Sequence, residues 1–131
     1  MEEDTRNNSS EASPLVQVRE LVEVLSAFAE ERDWKQYHSP KNLVMALAGE
    51  VGELSEIFQW MTEDASKGAL RDPSCAQAIK DELADVLIYL VRLSDVLDVD
   101  LNAAVLHKLK INASKYPVSK ARGTSKKYTE I

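Results

Sequence analysis

Cysteine is nearly missing from this chain. Cys75 is the single one among 131 residues, which excludes an internal disulfide and a cysteine metal site and points to a reducing compartment, the cytosol. Its plain reading is a small residue near a helix start. Long hydrophobic runs are missing too: no purely apolar or aromatic stretch is longer than Val86 to Val91, which is far shorter than the roughly 20 residues a helix needs to cross a bilayer. The N-terminus shows no basic region followed by an apolar one, so neither a membrane span nor a secretion signal is expected. Positive charge is in deficit, with 16 Lys and Arg against 22 Asp and Glu for a net charge of −6. That balance argues against a nucleic-acid polymer as partner, because such binding is driven by cations that neutralise phosphates. A small phosphorylated ligand stays open, provided that metal cations stand between it and the acids.

What is present describes a folded domain. Hydrophobic residues make up 44% and charged ones 29% of the chain, the balance of a globular protein of a length that buries one core. Residues 1–12, MEEDTRNNSSEA, are polar and acidic and read as a disordered tail. Residues 13–117 read as one helical domain, and residues 118–131 as an extended basic arm with Lys120, Arg122, Lys126 and Lys127 against a lone Glu130.

Helix starts recur between the tails, each a capping residue before a proline or an apolar run. Ser13-Pro14 opens a stretch with Leu15, Val18, Val22, Leu25 and Phe28 in register, ending near Asp33. Ser39-Pro40 opens a second that runs to about Met61. Asp72-Pro73 opens a third, whose period continues through Ile79, Leu83, Val86, Leu90, Leu93 and Leu97. Asp100 caps a fourth, from Leu101 to about Tyr116, where Pro117 stops it. Four helices with short connections, the longest at Thr62 to Arg71, and no convincing strand predict an all-α four-helix bundle.

Carboxylates interrupt two of these stripes. On the second helix the apolar positions step through Leu43 and Leu47 to Glu50, then Leu54, Ile57 and Met61, so an acid holds a hydrophobe's slot. Glu53, three residues on, lies about 60° around the helix from Glu50 and projects to the same side. Glu56 is rotated further off and reads as solvated. The third helix repeats the device with Glu82 and Asp85, while Asp81 falls off the stripe. Acidic pairs at this spacing are common on solvated helix faces, but two helices that both phase them onto the buried stripe call for a shared cation. Four oxygen donors without His or Cys suit Mg²⁺, with Mn²⁺ as a substitute. A di-iron site would want Glu-x-x-His motifs, and the two histidines, His38 in a connection and His107 on the fourth helix, read as surface or packing residues. Magnesium held by carboxylates keeps positions open for substrate phosphates.

Other residues suit a nucleotide ligand. Lys108, Asn112 and Lys115 share a face of the fourth helix, with Tyr116 adjacent, and could hold phosphate oxygens; a lysine-rich last turn that complements the helix dipole explains them as well. Aromatics are only 6% of the chain. Tyr89 and Trp60 lie along the carboxylate side and Trp34 and Tyr37 in the connection after the first helix, where a ring can stack on a base or simply pack.

"GEVGEL" with Glu50 and Glu53, "DELADVLIYL" with Glu82 and Asp85, and "KINASKYP" together resemble the all-α MazG-like nucleotide pyrophosphohydrolases. "FAEERDWKQYHSPKNL", "IFQW", "DVLIYLV" and "SKKYTEI" are similar to the dCTP pyrophosphatase branch of that family, so the likeness runs from about Phe28 to Ile131. The resemblance implies a Mg²⁺-dependent enzyme that cleaves a deoxynucleoside triphosphate, dCTP or a modified dCTP, between the α and β phosphates, and so cleans the nucleotide pool. It implies metal ligation by Glu50, Glu53, Glu82 and Asp85. One of these carboxylates, Glu53 before the others, could orient and deprotonate the attacking water. Substrate contacts fall to Trp34, Lys35, Gln36, Tyr37, His38, Trp60, Tyr89, Lys108, Asn112, Lys115 and Tyr116. Leu25 departs from the pattern, standing where relatives carry a histidine that touches substrate. Family members are homo-oligomers, and a tetramer built as a dimer of dimers is expected over a dimer. Two other readings compete: a sibling enzyme, such as an all-α dUTPase or a phosphoribosyl-ATP hydrolase, and a non-enzymatic helical adaptor, which would gain nothing from inward acids.

Overall fold

Helix-forming stretches and their caps set the architecture of the computed structural model, which describes residues 13–131. The expected tail, 1–12, lies outside the described residues. Among the described residues six α-helices follow one another: α1 (Arg19–Glu31), α2 (Pro40–Phe58), α3 (Glu63–Lys67), α4 (Ala76–Val96), α5 (Leu101–Lys115) and α6 (Val118–Ala121). Short 3₁₀ turns lie at Lys35–Tyr37, Ala69–Arg71 and Tyr128–Glu130, and there is no strand among the described residues. The all-α class and the four long helices are as expected.

Several boundaries move, each for a local reason. The first helix begins at Arg19 rather than at Ser13-Pro14: the Val16 N–H donates to Asn102 Oδ1 at 3.1 Å, which commits that backbone to a long-range bond instead of a helical turn. The second starts as expected, with Ser39 Oγ accepting from the Asn42 N–H and Pro40 at the first helical position, and ends at Phe58 rather than Met61. The third starts at Ala76 rather than at Asp72-Pro73, because Asp72 forms a turn of its own in which its Oδ1 accepts from the Ser74 hydroxyl at 2.7 Å and N–H at 2.9 Å. Those bonds, side chain first, hold the Asp72 carboxyl below its ordinary value. The connection from Thr62 to Arg71 is itself helical, with Thr62 Oγ1 capping α3 at the Ala65 N–H. The arm expected to be extended contains α6 and the last 3₁₀ turn.

Two compact units divide the described chain, one of them Val18–Asp100 and the other joining the residues up to Gln17 with Leu101–Ile131. In the first unit α4 is the central element: α2 packs along it, and α1 and the 3₁₀ turn Ala69–Arg71 lie against it. Leu43 of α2 and Val91 of α4 are fully buried, joined in the core by Ala29, Ala69 and Ile79. The α4 stripe read from the sequence is partly wrong. Ile79 is buried, but Leu83, Leu90 and Leu97 are exposed, and Val91, Arg92 and Ser94 are buried instead. A helix with neighbours on more than one side buries more than one line of residues. In the second unit, Tyr128 packs edge to face on Tyr116 at 6.0 Å and lies under Lys115 Nζ at 4.6 Å.

Candidate active site

The stripe of α2 survives intact as far as it matters to function. Leu43 is buried, and Leu47, Leu54 and Ile57 are half-buried with Glu50 in line between them. One turn of α4 brings Glu82 alongside. Carboxylate oxygens of Glu50, Glu53 and Glu82 lie within 4.8 Å of one another, with Glu50 and Glu82 half-buried and Glu53 exposed. Glu56 and Asp81 are exposed, as their phase requires.

Glu50 Oε2 and Glu82 Oε2 are both buried, and with the two groups ionised neither has a hydrogen-bond partner. Orphaned buried oxygens are costly, and here they are anionic. A proton relieves the conflict. The Glu82 carboxyl is pushed up to about 7, first by its hydrogen bond to Glu50, then by burial and by Glu53. A divalent cation relieves it equally well. Two oxygens on opposite sides of one Mg²⁺ stand about 4.2 Å apart, twice the usual metal–oxygen distance, so a set spanning 4.8 Å is close to closing on one ion. The donor set is oxygen only, and the residues fit a hard cation.

Asp85 is not in that triangle. It lines a neighbouring cavity of about 330 Å³ with Leu25, Phe28, Ala29, Trp34, His38, Ile88, Tyr89 and Arg92. The cavity sits at the small end of the range usual for ligand pockets, about 300 to 1,000 Å³, and is mainly apolar with a few polar groups, as such pockets are. Three of the substrate candidates, Trp34, His38 and Tyr89, are therefore brought together beside one of the acids.

Lys35, Gln36, Tyr37 and Trp60, in the same unit, do not line that cavity. Lys35 pairs with Glu30 at 3.0 Å, and Gln36 Nε2 donates to Asp33 O and Oδ2, both at 2.9 Å, so these two side chains brace the turn after α1. Tyr37 is exposed, and Trp60, past the end of α2, is 88% exposed. Lys108, Asn112, Lys115 and Tyr116 belong to the second unit, where Lys115 and Tyr116 contact Tyr128. Cys75 sits where a small helix-start residue was expected, its Sγ 3.4 Å from Ala69 O.

Arg92 was missed. It is 7% exposed, and its Nε donates to His38 Nδ1 at 3.0 Å while Nη1 pairs with Asp95 Oδ2 at 3.0 Å. The sequence carried a signal, a lone cation inside the apolar run "VLIYLVRL". His38 is accordingly no plain surface residue. Burial, and then the Arg92 charge, lower its pKa.

Fold and site together define a class: an all-helical protein in which α2 and α4 gather carboxylates in an arrangement compatible with a divalent cation, next to a cavity with aromatic residues in its wall. A model of the MazG-like family matches residues 46–131, and the chain belongs to that family. It is 47% identical to human dCTP pyrophosphatase 1 over 119 residues, 91% of this chain and 70% of the relative. The mouse dCTP pyrophosphatase 1 is 44% identical over the same shares. Among solved structures, a pyrophosphatase from Archaeoglobus fulgidus superposes with a TM-score of 0.71 at 38% identity, covering 81% of this chain and 97% of the other.

Proposed function

We propose that this protein is a Mg²⁺-dependent dCTP pyrophosphohydrolase that releases dCMP and pyrophosphate. The observation that carries the reading is the triangle of Glu50, Glu53 and Glu82, two of whose members bury orphaned anionic oxygens. The relatives named dCTP pyrophosphatase 1 support the substrate.

In this reading Glu50, Glu53 and Glu82 hold the cation, with Asp85 as a fourth ligand one turn further along α4. When bound, a divalent ion neutralises the triphosphate and polarises the α phosphorus. Glu53 is the exposed member of the triangle, which suits it to orient and deprotonate the water that attacks the α phosphorus as the bond to the β-phosphate oxygen breaks. Trp34, His38 and Tyr89 line the cavity and would take the nucleoside. Leu25 adds an apolar wall there, a hydrophobic contact at the position where relatives carry a histidine. Lys108, Asn112, Lys115 and Tyr116 are proposed for phosphate contacts, and Lys35, Gln36, Tyr37 and Trp60 for nucleotide contacts, from the sequence likeness.

A homo-oligomer, a tetramer over a dimer, is part of the proposal. Leu83, Leu87, Leu90 and Leu97 of α4 and its end, with Met45 and Val51 of α2, are exposed, apolar side chains that packing between subunits would cover. A cytosolic setting goes with the free thiol of Cys75, and no helix among the described residues is long and apolar enough to cross a membrane.

The test is pyrophosphate release from a panel of eight ribo- and deoxynucleoside triphosphates with and without Mg²⁺. Release from dCTP above all others, and only with the metal, is expected. Preference for dUTP would transfer the chain to a sibling activity, and no release from any nucleotide would favour the adaptor.

A further inference from the structure

Arg92 does more than fill α4. Its guanidinium is held on one side by Asp95, one turn along the helix, and on the other it reaches His38, in the connection before α2. Arginine keeps all its protons in a protein, so the Nε–H can only donate and His38 Nδ1 can only accept. A neutral imidazole that accepts at Nδ1 carries its proton at Nε2. The ring is kept neutral by burial and by the positive charge beside it. Both residues line the cavity whose other walls are largely Leu25, Phe28, Ala29 and Ile88.

We propose that Arg92 is a positioning residue that fixes His38 as a hydrogen-bond donor in the cavity wall, so that the ligand must offer an acceptor there, a base carbonyl or ring nitrogen or a sugar oxygen. The ligand half rests on the reading of the cavity as a nucleoside pocket; the tautomer does not. In an apolar cavity a donor of fixed polarity discriminates strongly, because a ligand presenting another donor leaves both groups unpaired. Asp95 completes the chain by keeping the guanidinium turned toward the histidine.

The tautomer is read directly by two-bond ¹H–¹⁵N spectra of the full chain labelled at histidine. There are only two histidines, and a His107→Gln variant assigns them. At pH 7 His38 is expected to show a bare Nδ1 and a protonated Nε2. In Arg92→Leu both tautomers should appear, and the KM for dCTP should rise about 10- to 100-fold while kcat changes little. Arg92→Lys should recover part of the loss. In a His38→Ala background Arg92→Leu should add no further penalty, whereas a merely structural arginine would give additive losses. With the 3′-deoxy nucleotide, disappearance of the Arg92 penalty assigns the acceptor to the 3′-hydroxyl, and its persistence assigns it to the base or the sugar ring oxygen.

A wild-type spectrum with the proton on Nδ1, or a charged ring at pH 7, overturns the proposal without reference to any variant, as do additive KM losses. Absence of all nucleotide turnover with the expected tautomer intact overturns instead the activity on which the ligand half rests.

Discussion

Adding Mg²⁺ to the metal-free protein should stabilise it, and by an amount that depends on pH in a definite direction. The triangle spans 4.8 Å and contains two buried oxygens without partners, so in the absence of metal the folded state relieves itself by taking a proton on Glu82, whose carboxyl is pushed up to about 7 from an ordinary 4.5. A carboxyl raised in the folded state binds more protons there than in the unfolded chain. Its contribution to stability is therefore fully present below about 4.5 and is lost as pH rises through about 7. Magnesium competes for the ionised form, so its effect must grow over the same window. At roughly 100 times its Kd a ligand adds about 2.7 kcal/mol. With an unfolding entropy of about 2.1 cal/mol/K per residue, 131 residues turn that into about 10 °C in Tm. The assay is thermal unfolding followed by circular dichroism at pH 5.5 and pH 8, with and without millimolar Mg²⁺ at matched ionic strength. A shift of several degrees at pH 8 that shrinks at pH 5.5 is expected. Equal shifts at the two pH values would show that the cation is not bound by this carboxyl set, and no shift at either would remove the metal site.

Two further outcomes follow from the same geometry. Glu53→Gln should lower kcat by about 10²- to 10⁴-fold, the usual worth of a general base, while the far-ultraviolet helical spectrum is unchanged; a variant that still turns over at the wild-type rate would assign water activation elsewhere. Leu43→Ala, at a fully buried position of α2, should cost about 2 to 5 kcal/mol in denaturant unfolding, and a loss under 1 kcal/mol would mean that the core between α2 and α4 closes over the cavity.

Legibility varied with the range of the interaction involved. The acids on α2 and α4 were readable because helical phase is a local property: a carboxylate at the slot of Glu50, between Leu47 and Leu54, is visible in one dimension. Helix starts were readable where the cap is local, as at Ser39-Pro40, and misread where a distant group intervenes, as when Asn102 takes the Val16 N–H. The α4 stripe was misread because periodicity finds one buried face, while α4 has neighbours on several, which exposed Leu83, Leu90 and Leu97 and buried Arg92.

By itself, then, the order of residues determined the helical class, the capping at Ser39 and the inward phase of Glu50 and Glu82, since each depends on neighbours within a turn or two. Only the tertiary structure decided that Glu50, Glu53 and Glu82 meet within 4.8 Å while Asp85 turns to the adjoining cavity, and that Arg92 reaches His38 across 54 positions of chain. The physical reason is that a side chain's phase is fixed by its own backbone. Its partners are fixed by which helices pack, and those contacts join residues that no local pattern connects.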